Sequence, residues 1–140
     1  MDRHITWIVV GACFACLAVI LGAFAAHGLK SKISTEDLAI FETGVRYQMY
    51  HSLGLILLGL IGFQTAQDIV FFPALMFIIG IIIFSGTLYL IPLTGLRWLG
   101  AVTPIGGTAF ILGWSFLIYN LIKLQSVSYT HLTLPTIREV

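Results

Sequence analysis

Residues 5–26, ITWIVVGACFACLAVILGAFAA, contain no charged side chain. About 20 such residues are enough to cross the roughly 30 Å hydrocarbon layer of a bilayer. In that layer no water is present to hydrogen-bond the backbone, so the run must be a helix. Three more apolar runs follow, at residues 51–66, 69–91 and 99–123, and only short polar links separate them. Their number and spacing predict an all-α membrane protein: a four-helix bundle with up-and-down connectivity, one domain over residues 1–125.

Composition excludes the alternative of a water-soluble domain. Charged residues make up 9% and apolar residues 59%, against about 25% and a little under half in soluble domains. A formal net charge of +1, with the basic residues scattered, leaves no electrostatic footprint for nucleic acid. The first run competes with two processing readings. AFA at residues 23–25 resembles a signal-peptidase site, but the apolar run exceeds the 7–15 residues typical of a signal core. VGAC resembles a lipoprotein cleavage box and lies too close to Met1, so neither cleavage is expected. Cys13 and Cys16 form a CxxC pair, yet no acid, lysine or histidine nearby favours a thiolate. Packing is the expectation for both. Gly11, Ala15, Ala18, Gly22 and Ala26 recur every three or four residues, a smooth stripe for close helix contact.

The link HGLKSKISTED ends in a helix start. Ser34 is placed as N-cap, with Glu36 and Asp37 in the first turn where the helix dipole favours acids. Leu38, Phe41, Val45 and Met49 then form an apolar stripe. Residues 35–50 are therefore expected to be an interfacial amphipathic helix that runs into the second span at His51. Pro104 opens the fourth span and frees a carbonyl that a neighbour must satisfy. Arg3 and Lys123 fall on one side of the membrane and Lys30, Lys32, Arg46 and Arg97 on the other. Excess basic charge stays cytoplasmic, so both termini are expected outside.

The stretch FETGVRYQMYHSLGLILLGLIG, residues 41–62, sets a glutamate, an arginine, tyrosines and a histidine at the mouth of a span. On a helix Glu42 and Arg46, Arg46 and Tyr50, and Tyr47 and His51 are each i, i+4 pairs. Two readings stay open for Glu42 and Arg46: an interfacial ion pair with snorkelling arginine, or a partnered pair at membrane depth. His27 and His51 flank the first loop and are expected to be able to approach, as a proton sensor or as capped helix ends. Glu42, Arg46, Tyr47, Tyr50, His51 and His27 are the candidate polar site. No catalytic set, metal-ligand spacing or phosphate loop is present, so no enzyme, cofactor or metal is expected. Ser85, Thr87, Thr94, Thr103 and Thr108 are expected to bond between helices.

From Val127 to Thr136 the chain reads as the translated transposon-end adapter of short-read sequencing; a sample index encodes residues 137–139, and the adapter resumes at Val140. Residues 126–140 are therefore expected to be a non-native, disordered tail. That removes Tyr129, His131 and Arg138 from the site.

Taken in order, GAFAAHGL, FETGVRYQMYHSLGLILLGL, FSGTLYL, GLRWLGAVTPIGG and GW resemble the small membrane family known as domain of unknown function 423 (YgdD/YwdK-like). The resemblance covers residues 11–124. The family pattern has glycine where this chain has Ala25, a small-for-small change. It implies a four-helix integral membrane protein of the cell membrane, here the inner membrane of a bacterium, and carries over no site residues. The function expected is accessory or structural, with the lipid bilayer, a homo-oligomer or a membrane protein as partner. The alternative is an oligomeric transporter or channel for small solutes or ions with Glu42, Arg46 and His51 at its entrance.

Overall fold

A computed structural model describes residues 2–65 and 68–132, with side chains to residue 126. Among the described residues the fold is helical throughout, as expected. Helix α1 spans Arg3–Leu29, α2 Thr35–Gln64, α3 Phe71–Thr94 and α4 Thr103–Leu132; a 3-10 turn, Arg97–Ala101, links the last two. By length and apolar composition α1, α3 and the stretch Arg97–Ser126 are able to cross a membrane; α2, 30 residues long, is not among them. Residue 66, the expected end of the second span, and tail residues 133–140 lie outside the described residues.

Local chemistry sets the helix ends. The Asp2 carboxylate accepts the His4 N–H at 2.8 Å and opens α1. Ser34 Oγ accepts the Asp37 N–H at 3.1 Å, with Glu36 and Asp37 in the first turn, so the expected cap forms. Asp68 Oδ1 accepts the Phe71 N–H at 3.2 Å and starts α3. Pro73 lies in the first turn of α3, where its missing N–H costs nothing. Gly95, at φ 74°, takes the left-handed turn that ends α3, and its N–H bonds back to the Ile91 carbonyl at 2.9 Å. Only glycine adopts that conformation without steric strain.

As expected, residues 35–50 run directly into the residues that follow, so α2 is unbroken for 30 residues, about 45 Å. Its first half buries Phe41, Gly44 and Gln48 against neighbouring helices. Two expectations change. The small stripe on α1 ends on Ala25 rather than Ala26, which is exposed. The buried small residues are Gly11, Ala18 and Ala25, seven apart and so on one face of the helix. Finally, α4 continues through Leu132, seven residues into the stretch expected to be disordered. Once a helix is nucleated, each further residue adds a backbone bond for little entropy.

Glycines set the contacts between helices. Gly22 faces Val45 while Gly59 faces Ile8, so α2 runs back along α1. Gly44 faces Tyr89 and Gly54 faces Phe77, so α3 runs back along α2; Gly80 faces Phe110 and Gly106 faces Phe84, so α4 runs back along α3. A Cβ on Gly11 would stand 2.7 Å from the Ser52 carbonyl oxygen, which leaves no room for a side chain between α1 and α2. One core cluster holds Trp7, Leu55, Leu58, Val70, Phe77, Phe110 and Leu117. A smaller one holds Ala25, Leu29 and Phe41. Lipid tails are as apolar as leucine, so close packing and hydrogen bonds, rather than burial from water, must hold these helices together.

An ion pair sits at each end. Arg3 pairs with Asp68 where α1 and α3 begin. At the opposite end the Arg97 guanidinium grips Asp37 with two bonds, 2.6 and 3.1 Å, and ties the last link to the start of α2. The Arg97 hydrogen bond holds the Asp37 carboxyl below its ordinary value. A group depressed on folding stabilises the fold above its unfolded pKa, about 3.9 for aspartate, and loses that contribution as pH falls through the folded value. Wild type is therefore expected to lose part of its thermal-stability margin over Asp37→Asn as detergent-solubilised samples are taken from pH 7 to pH 3. An unchanged difference would show that the pair contributes nothing.

Candidate functional site: an inner polar network and an outward polar stripe

The six candidate residues do not form one site. His51 is buried halfway along α2, whereas His27 is exposed in the last turn of α1. Gln48 bonds to Phe14, so His51 is level with about that part of α1. His27 lies 13 residues further on, roughly 20 Å away at 1.5 Å per residue. The two histidines do not approach, because α2 starts at Thr35 and runs 16 residues before it reaches His51. Glu42 and Arg46 make no ion pair with one another among the described residues. Arg46 Nη2 donates instead to Thr43 Oγ1 at 3.0 Å, and that hydroxyl donates to the Ala39 carbonyl.

Inside the fold lies a polar network that the candidate list missed. Gln48 is its hub: its Nε2 donates to the Phe14 carbonyl of α1 at 2.8 Å, and its Oε1 accepts the Tyr89 hydroxyl of α3 at 2.7 Å. One amide thus joins three helices. Ser52 Oγ donates to the Gln48 carbonyl at 2.5 Å, and Ser85 Oγ crosses from α3 to the Gly44 carbonyl of α2 at 2.7 Å. Thr87 and Thr103 share a hydrogen bond of 2.8 Å between α3 and α4. Asn120 Nδ2 reaches the Ile69 carbonyl at 2.7 Å. Of the hydroxyls expected to bond between helices, Ser85, Thr87 and Thr103 do so. Thr94 and Thr108 instead bond carbonyls four residues back in their own helices.

His51 is held on every side. Its Nε2 accepts the Trp114 indole N–H at 3.1 Å, while its Nδ1 stands 2.7 Å from the Tyr47 carbonyl. A carbonyl only accepts and an indole N–H only donates, so these partners assign a neutral ring with its hydrogen on Nδ1. One face stacks on Phe110, with ring centroids 3.5 Å apart. Both nitrogens are occupied, which leaves none for proton relay or metal ligation. No group of three or more His, Cys, Asp or Glu able to hold a metal occurs among the described residues. Tyr47 belongs partly to this cluster, with its ring 4.7 Å from that of Phe84.

Glu42, Arg46 and Tyr50 sit at i, i+4 and i+8 along one side of α2; Arg46 and Tyr50 are exposed and Glu42 is partly buried. Tyr50 is 56% exposed. The register fixes their depth: Gly44 meets Tyr89, and Gly54 meets Phe77. Arg46 is then level with about residue 87 of α3, roughly 10 Å inside its end, and Tyr50 is near the middle of that helix. Arginine at the centre of a span costs roughly 2.5–3.5 kcal/mol on insertion scales. Together with the buried Gln48, His51 and Ser52, these residues make α2 more polar than the three helices able to cross a membrane.

Comparison with known proteins gives one consistent answer. The model of the family described as protein of unknown function (DUF423) matches residues 21–107, which is 87 of the 140 residues. A UPF0382 membrane protein of Staphylococcus saprophyticus is 45% identical over 118 residues, covering 84% of this chain and 98% of that protein. A UPF0382 membrane protein of Staphylococcus epidermidis is 47% identical over 117 residues, 84% of this chain and 95% of its own. YwdK of Bacillus subtilis, also a UPF0382 membrane protein, is 43% identical over 119 residues, 84% of this chain and 96% of its own. No solved structure matches. Apolar helices, helix contacts made at glycines and this match together place the chain: it is a small multi-pass membrane protein and belongs to the DUF423 family, whose function is unknown.

Proposed function

We propose that the protein is a four-span, up-and-down bundle of the cell membrane, with both termini outside, and that its role is accessory or structural rather than catalytic. The observation that carries this reading is the inner network. Gln48, Ser52, Ser85, Thr87, Tyr89 and His51 spend their polar groups on helix-to-helix or same-helix bonds. Such groups specify how helices pack and leave no donor or acceptor aimed at a substrate. Alternating helix directions and the end-to-end ion pairs support the up-and-down arrangement. The basic residues Lys30, Lys32 and Arg97 at one end support a cytoplasmic loop side.

Purified and reconstituted into vesicles, the chain is expected to pass small ions and solutes no faster than empty vesicles between pH 6 and pH 8. A pH-dependent flux abolished by Arg46→Ala would overturn the accessory reading. Reporters fused to each terminus are expected to read outside; a terminus reading inside overturns the orientation.

A further inference from the structure

We infer that the first two turns of α1 are a hinged end, latched onto α2 and α3 by the Arg3–Asp68 ion pair, which swings out at the membrane surface when that pair is broken. Two polar atoms motivate this. His4 Nδ1 and Trp7 Nε1 are buried without a hydrogen-bond partner, and among the described residues they are the only buried side-chain nitrogens or oxygens left so. Trp7 as a whole is 8% exposed. A donor or acceptor buried without a partner destabilises the arrangement that buries it, and neighbouring contacts must offset that.

Little offsets it here. Among the described residues no hydrogen bond joins α1 to another helix between the Arg3–Asp68 pair and the Phe14 carbonyl, which accepts from Gln48. The Arg3 and Asp68 side chains are 61% and 34% exposed, and exposed pairs contribute little and weaken with salt. His4 meets Phe63 edge-on at 5.4 Å between ring centroids, and Trp7 meets Phe71 in the same way at 5.9 Å. Trp7 also packs in the main core cluster, but lipid tails replace apolar contacts of that kind.

The surface left behind is smooth. His4 fills the space that side chains on Gly59 and Gly62 of α2 would need, so neither position interlocks with the departing turn. The hinge lies at Gly11, which stands against the Ser52 carbonyl one turn before Gln48 pins α1 at Phe14. Trp7 is about 6 Å along α1 from Arg3, so a small swing carries its indole N–H into the headgroup layer. Tryptophan is enriched there because its ring stays among the tails while its N–H meets water or lipid oxygen. The same movement gives His4 Nδ1 access to water.

The test is fluorine NMR of the full chain in lipid nanodiscs, labelled with 5-fluorotryptophan, the Trp7 signal being identified by its loss in Trp7→Phe. A neutral, water-soluble gadolinium chelate relaxes each ring according to its reach from water. Relaxation at Trp7 is expected to rise about twofold or more in Asp68→Asn, the shift that losing an exposed pair produces. Asparagine still offers an oxygen to cap α3, so only the charge is lost. Wild type is expected to move in the same direction when salt is raised to about 1 M, where screening acts within roughly 3 Å. Trp98 and Trp114 are expected to keep their values. Trp7 equally shielded, or equally reached, in all three samples would overturn the hinge. So would a rise at all three tryptophans alike, or a response to salt without one to Asp68→Asn. If Asp68→Asn does not fold, the salt series on wild type decides.

Discussion

Gly106→Ala is expected to lower the thermal midpoint of the detergent-solubilised protein by on the order of 10 °C, while Gly107→Ala leaves it unchanged or slightly higher. The two glycines are neighbours on α4, so the comparison isolates geometry. A Cβ on Gly106 would stand 2.4 Å from the backbone nitrogen of Phe84 and 2.8 Å from its Cα. Backbone cannot swing aside as a flexible side chain does, and Phe84 lies in the π turn Ile81–Ser85. Overpacking costs typically 1–3 kcal/mol, and the upper end applies where nothing yields. In a domain of this size one kcal/mol moves the midpoint by a few degrees. At Gly107 the nearest atoms are 3.7 and 3.8 Å away, in the Phe84 ring. Alanine there fits and adds helix propensity. Equal midpoints for both variants would contradict the α3–α4 contact.

Gln48→Met is expected to cost about 2 kcal/mol, and Tyr89→Phe about 1 kcal/mol. The first removes two interhelical bonds and strands the Tyr89 hydroxyl. The second strands only one amide lone pair. An unmade bond at a buried polar group costs about 1–3 kcal/mol, although hydrogen bonds inside membrane proteins average nearer 0.6. The lower figure applies to Tyr89→Phe, and the higher to losing the hub. Because the two residues share one bond, the double variant is expected to cost less than the sum of the singles. Denaturation of the four proteins measures this, and strict additivity would remove Gln48 as the hub.

Much of the fold was legible, because apolar runs long enough to span a bilayer have few alternatives. The cap at Ser34 was legible too, since serine followed by two acids matches the chemistry of a helix start. The site was legible only in its outer half. Glu42, Arg46 and Tyr50 announce themselves as charges and phenols in an apolar stretch. Gln48 stands in the same stretch and was passed over, although one signal marked it. Phe41, Gln48, Leu55 and Gly62 are seven residues apart and all are buried. The stripe through Leu38, Phe41, Val45 and Met49 includes Phe41 but steps past Gln48 to Met49. His51 misled for a related reason: a titratable ring beside a loop reads as a mouth, but its depth depends on where α2 begins. The partners of these groups, Phe14, Tyr89 and Trp114, lie 34 to 63 residues away, a separation that periodicity cannot see.

The central claim is that α2 crosses the membrane despite its polar stripe. Single cysteines at Lys32, Tyr50 and Gln64, in a chain with Cys13 and Cys16 replaced by alanine, test it in cells with a membrane-impermeant maleimide. The account predicts labelling of Gln64 in intact cells, labelling of Lys32 only after permeabilisation, and no labelling of Tyr50 in either case. Lys32 and Gln64 labelled from the same side, or Tyr50 labelled from water, would contradict it.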